Sequence, residues 1–137
     1  MVQNTGMELH HVGIATEDRK RAAARYLELG YTVEAEETLQ AQGVHALMLK
    51  SGPSRLELLE PTAPATPVGR FLEKRGPGLH HLAFATPDLA AALAELAAAG
   101  APLIDREPRR GFDGHLVAFV HPRWYGGVLV ELVEVGT

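Results

Sequence analysis

Cysteine is missing altogether from the 137 residues, so disulfide bonds and thiol catalysis are excluded, and redox compartment is left open. Aromatic residues make up only 6%, with one tryptophan, and no lysine/arginine cluster interleaves with them. Together with a formal net charge of −4, this gives no support to nucleic-acid binding. The densest basic run, Arg19-Lys20-Arg21, opens a predicted helix and reads as a solvated face. No apolar run approaches the roughly 20 residues needed to span a bilayer. Met1 to Gly6 is polar and short, without a signal-peptide core. These absences predict a cytoplasmic protein with neither nucleic acid nor membrane as partner.

The remaining composition, 46% hydrophobic and 22% charged, is that of an ordinary globular protein with one core. Its arrangement is more informative. Leu9-His10-His11-Val12-Gly13-Ile14-Ala15-Thr16-Glu17-Asp18 returns seventy positions later as Leu79-His80-His81-Leu82-Ala83-Phe84-Ala85-Thr86-Pro87-Asp88. Each copy closes on a carboxylate in an apolar run, Leu56-Glu57-Leu58-Leu59-Glu60 in one half and Val130-Glu131-Leu132-Val133-Glu134 in the other.

Each half reads as strand, helix, then three strands. In the first, Leu9 to Thr16 is extended, Asp18 is a helix cap, and Arg19 to Leu29 is rich in helix formers and stops at Gly30. Strands are predicted over Tyr31 to Glu36, Val44 to Lys50 and Arg55 to Glu60, separated by turn-prone Gln42-Gly43 and Ser51-Gly52-Pro53. In the second half, Thr86-Pro87 is the expected cap and first helical position. Leu89, Leu93 and Leu96 then recur at helical spacing before Gly100. Strands follow over Pro102 to Arg106, His115 to His121 and Val128 to Val135. The connection from Pro61 to Gly78 contains a short predicted helix, Val68 to Lys74.

Strand alternation sorts the histidines. His10 shares a face with Val12 and Ile14, and His80 with Leu82 and Phe84, so both belong to the bulky apolar face. His11 lies with Gly13 and Ala15, and His81 with Ala83 and Ala85. That face carries one histidine and then only small residues, leaving room for something that is not protein. The same parity sets Glu57 and Glu131 apart from their apolar neighbours. A buried carboxylate is costly unless paired, protonated or on a metal. Taken singly, each residue would read as a core histidine or an edge glutamate. Recurrence at equivalent positions makes His11, Glu57, His81 and Glu131 candidate ligands of a borderline divalent cation, and nitrogen with carboxylate oxygen admits Co2+, Mn2+, Ni2+ or Zn2+. His45, His115 and His121 have no repeat partner; His121-Pro122 ends a strand and is a candidate for a substrate rim. Trp124 and Tyr125 precede Gly126-Gly127, a tight turn expected near the site, and Arg55, Arg75 and Arg123 are candidates for holding anionic groups.

These pieces carry a resemblance. Beside the histidine strands stand Gln42-Gly43-Val44 and Leu56-Glu57-Leu58-Leu59-Glu60-Pro61. Further on come Phe71-Leu72-Glu73-Lys74-Arg75-Gly76 running into Gly78-Leu79-His80-His81, then His121-Pro122-Arg123, then Gly126-Gly127-Val128-Leu129-Val130-Glu131. From about Leu9 to Val133 the chain resembles the vicinal oxygen chelate superfamily, which includes glyoxalase I, extradiol dioxygenases and antibiotic-resistance proteins. Within it, the methylmalonyl-CoA epimerases are the most similar group. The resemblance implies an α+β fold of tandem βαβββ modules forming an open cup around a metal. One domain would cover residues 7–135, with modules at about 7–61 and 79–135, a linker at 62–78 and an N-terminal tail at 1–6.

The same resemblance implies metal ligation by His11, His81 and Glu131, with Glu57 as a further ligand, and favours Co2+ or Mn2+. It implies an acyl-CoA substrate, commonly a homodimer, and proton abstraction at C2 through a stabilised enolate. Glu131 would be one base, and Glu57 or an ordered water its partner acid. His121, Arg123, Trp124 and Tyr125 would lie near the substrate. The chain departs from the pattern at Ala46, where some members carry a second glutamate, and at Trp124-Tyr125, where small polar residues are usual. The competing expectations are a glyoxalase I-type isomerase of hemithioacetals, which uses the same ligands, and a non-catalytic drug-binding protein. Relatives of the latter kind often lack the ligands retained here. An extradiol dioxygenase fits less well, because a carboxylate at Glu57 would occupy a position its iron site leaves open.

Overall fold

The computed structural model describes residues 6–136, and positions 1–5 of the expected N-terminal tail lie outside the described residues. Strand β1 (Leu9–Ala15) leads into helix α1 (Arg19–Leu27), then β2 (Thr32–Leu39), β3 (Val44–Ser51) and β4 (Ser54–Pro61). After α2 (Pro67–Arg75) the plan repeats as β5 (Gly78–Thr86), α3 (Leu89–Ala98), β6 (Arg109–Arg110), β7 (Leu116–Val120) and β8 (Val130–Glu134). The eight strands form one curled mixed sheet in the order β2-β3-β4-β1-β5-β8-β7-β6. β1 pairs with β4 in parallel, β5 with β8 in parallel, and the two repeats meet where β1 and β5 run antiparallel. A pseudo-two-fold axis therefore passes through the β1/β5 seam.

Equivalent residues start both repeat helices. The Asp18 and Asp88 carboxylates accept the backbone N–H of Arg21 and Ala91 at 3.1 and 3.0 Å, satisfying donors that the first helical turn leaves open. Asp88 rather than Thr86 thus caps α3, and Pro87 stands before the helix; the Thr86 hydroxyl instead accepts the Asp88 N–H at 3.3 Å. The last glutamate of each repeat does the same work from across the fold. Glu60 accepts the Arg19 N–H at 2.9 Å and Glu134 accepts the Leu89 N–H at 3.0 Å, so each anion sits at a helix N-terminus, where the macrodipole favours it.

Alternation then distributes the core. Leu47, Leu49 and Leu58 bury against Ala23 of α1, and Ala118, Val130 and Leu132 against Leu89, Ala92 and Leu93 of α3. Fully burying one such leucine stabilises the fold by about 1.5–3 kcal/mol. The opposite, concave face packs Ala15, Val44, Ala46 and Leu59 against Val68 of α2. Its remaining area holds the charged residues described below.

The strand expected at Pro102 to Arg106 is replaced by a single bridge, Leu103 to Val120, and the edge strand forms later at Arg109–Arg110. The cause is a side chain standing in for a ladder bond. The Asp105 carboxylate accepts the Phe119 N–H at 2.8 Å, while the Ile104 and Asp105 N–H groups both donate to the Phe119 carbonyl.

Candidate metal centre

Four cross-strand registers build the centre. His81 on β5 lies opposite Gly13 on β1, which is itself paired with Glu57 on β4. By the pseudo-two-fold, His11 on β1 lies opposite Ala83 on β5, which is paired with Glu131 on β8. Each repeat therefore contributes one imidazole and one carboxylate, and the small residue between them is what lets the imidazole lie across the neighbouring strand. A Cβ at position 13 would collide with the His81 ring. The space that alternation left free beside His11 is thus filled in part by the other repeat's histidine.

All four side chains are buried, at 4% exposure for His11, 5% for Glu57, 4% for His81 and 6% for Glu131. One ligand atom from each lies within 4.8 Å of every other. His11 Nε2 is 3.2 Å from His81 Nε2, from Glu57 Oε1 and from Glu131 Oε1; His81 Nε2 is 3.6 Å from Glu57 Oε1 and 3.1 Å from Glu131 Oε1. Glu131 Oε1 is buried without a hydrogen-bond partner among the described residues. An unpartnered buried carboxylate oxygen facing two imidazole nitrogens and a second carboxylate is a donor set that fits a divalent cation.

The electrostatics agree with a cation-seeking site. Burial works against the charged form of His11, but the Glu131 and Glu57 carboxylates outweigh it and raise the imidazole to about 9. Burial likewise disfavours ionised Glu131, and the two imidazoles overcome it, holding this carboxylate well below its ordinary range.

His10 and His80 do not lie on the apolar face. The β1/β5 register slips once between Leu9 and His11, and again in β5 between Leu79 and His81, so each is the extra residue of a β-bulge. The bulge turns His10 beside His11, with their Nδ1 atoms 2.7 Å apart, and His80 beside His81 at 2.9 Å. Burial, with the neighbouring charge of His11 or His81, lowers both outer histidines to about 4. Sequence reasoning passed over them because strict alternation has no place for a bulge; the repeated doublet was the available signal.

Two cavities reach both carboxylates of the centre. One of about 200 Å³ is lined by Val44, Phe112 and Leu129 and reaches Glu57, His81 and Glu131. The other, of about 310 Å³, is lined by Arg55, His115, Asp113 and Phe112 and reaches His11, Glu57 and Glu131. Phe112 borders both. Its loop is tied across the mouth of the cup, where the Asp113 N–H donates to Glu37 on β2 at 2.8 Å.

The structure does not bring His121, Arg123, Trp124 and Tyr125 to the cluster. They form an exposed turn between β7 and β8, in which His121 Nδ1 accepts the Arg123 N–H at 3.1 Å. Tyr125 lines a cleft with Phe84, Ala92 and Leu132, on the helix-covered side of the sheet. Pro122, Val128 and Leu129 of this connection border a third cavity of about 410 Å³, which runs from Arg70, Lys74 and Arg75 to His80 and His81. Ala46 is fully buried on the concave face and leaves no carboxylate there. His45 bonds Thr38 on the outer strand pair, away from the centre. No helix among the described residues is long and apolar enough to cross a membrane.

Comparison with known proteins follows the same lines. Residues 10–119 match the family described as Glyoxalase/Bleomycin resistance protein/Dioxygenase superfamily. The chain is 43% identical to the uncharacterized protein YqjC of Bacillus subtilis (strain 168), over 92% of this chain and 91% of that one. It is 38% identical to the ethylmalonyl-CoA/methylmalonyl-CoA epimerase of Cereibacter sphaeroides, over 93% of this chain and 97% of the relative. Among solved structures, a Streptomyces coelicolor methylmalonyl-CoA epimerase variant in complex with 2-nitronate-propionyl-CoA superposes with a TM-score of 0.89. It is 40% identical, and the match covers 93% of both chains.

Proposed function

The chain belongs to the Glyoxalase/Bleomycin resistance protein/Dioxygenase superfamily, and from that premise we propose that it interconverts the (R) and (S) forms of methylmalonyl-CoA. The observation that carries this reading is the buried Glu131 carboxylate facing two imidazoles and a second carboxylate, inside the four-residue centre of a fold shared with acyl-CoA epimerases.

The reaction exchanges one acidic proton. C2 of the substrate lies between a thioester and a carboxylate, so its C–H is weakened on both sides. Glu131 is ionised at neutral pH, because two imidazoles outweigh its burial, and it is therefore in the form that accepts a proton. The acid that returns a proton to the opposite face would be Glu57 in its protonated form, reaching the same centre from the other repeat, or an ordered water, since Ala46 offers no carboxylate. The proton gained by Glu131 and the one lost by that acid then exchange with solvent before the next turnover. His11, His81, Glu57 and Glu131 would hold the divalent ion, with Co2+ or Mn2+ preferred and Ni2+ or Zn2+ compatible with the same donors. Such an ion, when bound, supplies the positive charge that stabilises the enolate oxygen as the C–H bond breaks.

The arms of the substrate would occupy the cavities that meet at the cluster. Arg123 and Trp124, on the exposed turn beside the third cavity, would meet the CoA-bearing end rather than the reacting carbon, with His121 holding the turn and Tyr125 behind it. The continuous eight-stranded sheet supports treating residues 7–135 as one domain of two modules, at about 7–61 and 79–135. Exposed Leu9 and Leu79 support a homodimer, and an acyl-CoA substrate accords with a cytoplasmic setting.

The test is proton NMR of methylmalonyl-CoA in deuterated water, using protein stripped of metal and then restored with Co2+ or Mn2+. Metal-dependent loss of the C2 proton signal, abolished by His81→Ala, is the expected result. Exchange no faster than with metal alone would refute the epimerase reading.

A further inference from the structure

The repeated His-His doublet has two members that the proposed reaction does not use, His10 and His80. Both are bulge residues, placed by the same register slip on either side of the β1/β5 seam. Each meets its neighbour through the same pair of atoms. Nδ1 of His10 is 2.7 Å from Nδ1 of His11, and Nδ1 of His80 is 2.9 Å from Nδ1 of His81. The rings stand edge-on, with interplanar angles of 77° and 85°. Meanwhile the Nε2 atoms of His11 and His81 both face the two carboxylates.

Proton inventory then assigns the roles. An imidazole that binds a cation through Nε2 offers the lone pair there, so its one remaining proton is on Nδ1. A Nδ1–H can only donate, and the nitrogen facing it must accept. Metal-binding histidines are generally fixed in tautomer and ring plane by an acceptor of this kind, most often a carboxylate or carbonyl. Here another imidazole stands in that place, once per repeat. The outer histidines are themselves held. His10 packs at 6.1 Å against the ring of His115, whose Nδ1 donates to the Glu134 carbonyl at 3.1 Å, and His80 packs at 4.9 Å against Phe71 of α2.

We propose that His10 and His80 are positioning residues, whose Nδ1 atoms accept the Nδ1–H of His11 and His81 and so fix the orientation in which those residues hold a divalent cation. The proposal rests on reading the four-residue cluster as a metal site, and it is independent of which substrate the site takes. Without the bulge, consecutive residues would point to opposite faces and the pairs could not form.

Asparagine separates the acceptor from mere bulk, because its Oδ1 sits close to where Nδ1 of histidine lies. Co2+ affinity is measured by chelator competition for the wild type, His10→Leu, His80→Leu, His10→Asn and His80→Asn. Each leucine variant is expected to weaken Co2+ binding by about 10–100-fold, and each asparagine variant to recover most of it. Leucine variants that bind as tightly as wild type would overturn the proposal, as would asparagine variants as weak as leucine.

A second readout needs no variant. Proton NMR of the Co2+-loaded wild type should show a pair of exchangeable, hyperfine-shifted imidazole N–H signals protected from solvent, and their absence overturns the assignment. A wild type that takes up no Co2+ would remove the metal reading along with it.

Discussion

Replacing Gly13 with alanine adds one methyl group at the point where the two repeats cross. The backbone there is not in a conformation reserved for glycine, so any effect is steric. The new Cβ would fall 2.6 Å from His81 Nε2 and closer still to Cε1 and Nδ1, whereas ordinary contacts begin at 3.4 Å. The ring must retreat by about 1 Å, well beyond the roughly 0.2 Å tolerance of a ligand bond. Overpacking of this kind typically costs about 1–3 kcal/mol. If the ring stays, the cost appears as lost stability of the metal-free protein; if it swings aside, the cost moves to the metal. At about 1.4 kcal/mol per factor of ten, the second case weakens Co2+ binding by roughly 5–150-fold. Urea unfolding of the metal-free protein and Co2+ competition titration, taken together, account for the whole of it. A Gly13→Ala protein that matches wild type in both would refute the cross-strand placement of His81.

Glu131→Gln removes a proton acceptor while keeping the shape of the side chain. Turnover should fall by about 10²–10⁴-fold with little change in KM, measured on protein whose metal content has been verified. A rise in KM alone would remove the base role. In the metal-free protein His11 stays protonated to about pH 9, above its value of 6.5 when unfolded, so the native state holds the extra proton between those limits. Its contribution to stability is therefore complete below pH 6.5 and lost as pH rises to about 9, which denaturant unfolding across that range will detect. The same proton must leave when a cation binds, so Co2+ affinity should increase by about tenfold per pH unit and level off above pH 9. Light scattering should return twice the 14.8 kDa chain mass if the exposed Leu9 and Leu79 surface joins two copies.

The sequence displayed the centre more clearly than its surroundings. A period of two, read twice, singled out the same four side chains that the sheet brings together, because alternation is a property of the strand itself. What it could not display depends on contacts between distant segments. The bulges at His10 and His80 arise from β1/β5 pairing and break the very parity used to sort the histidines. Glu60 and Glu134 find their role only when β4 and β8 arrive beside the starts of α1 and α3. The edge strand stands at Arg109–Arg110 and not at Pro102–Arg106 because the Phe119 N–H is taken by the Asp105 side chain and not by a backbone carbonyl. Trp124-Tyr125 before Gly126-Gly127 reads as a tight turn, and the chain forms a one-turn helical segment there, ended by left-handed Gly126, that a strand-and-turn reading does not resolve.

The pseudo-two-fold axis through the β1/β5 seam also exchanges the two approaches to a planar carbon. With Glu131 as base and Glu57 as its partner acid, as proposed, a rotation that carries Glu57 onto Glu131 would carry an attack from above into an attack from below. For a reaction whose reactant and product differ only in the handedness of one centre, the forward and reverse directions then make nearly mirror-related demands on the protein. A site assembled from two copies of one module meets both with the same parts, so the stereochemical neutrality an epimerase needs is already present in the duplication.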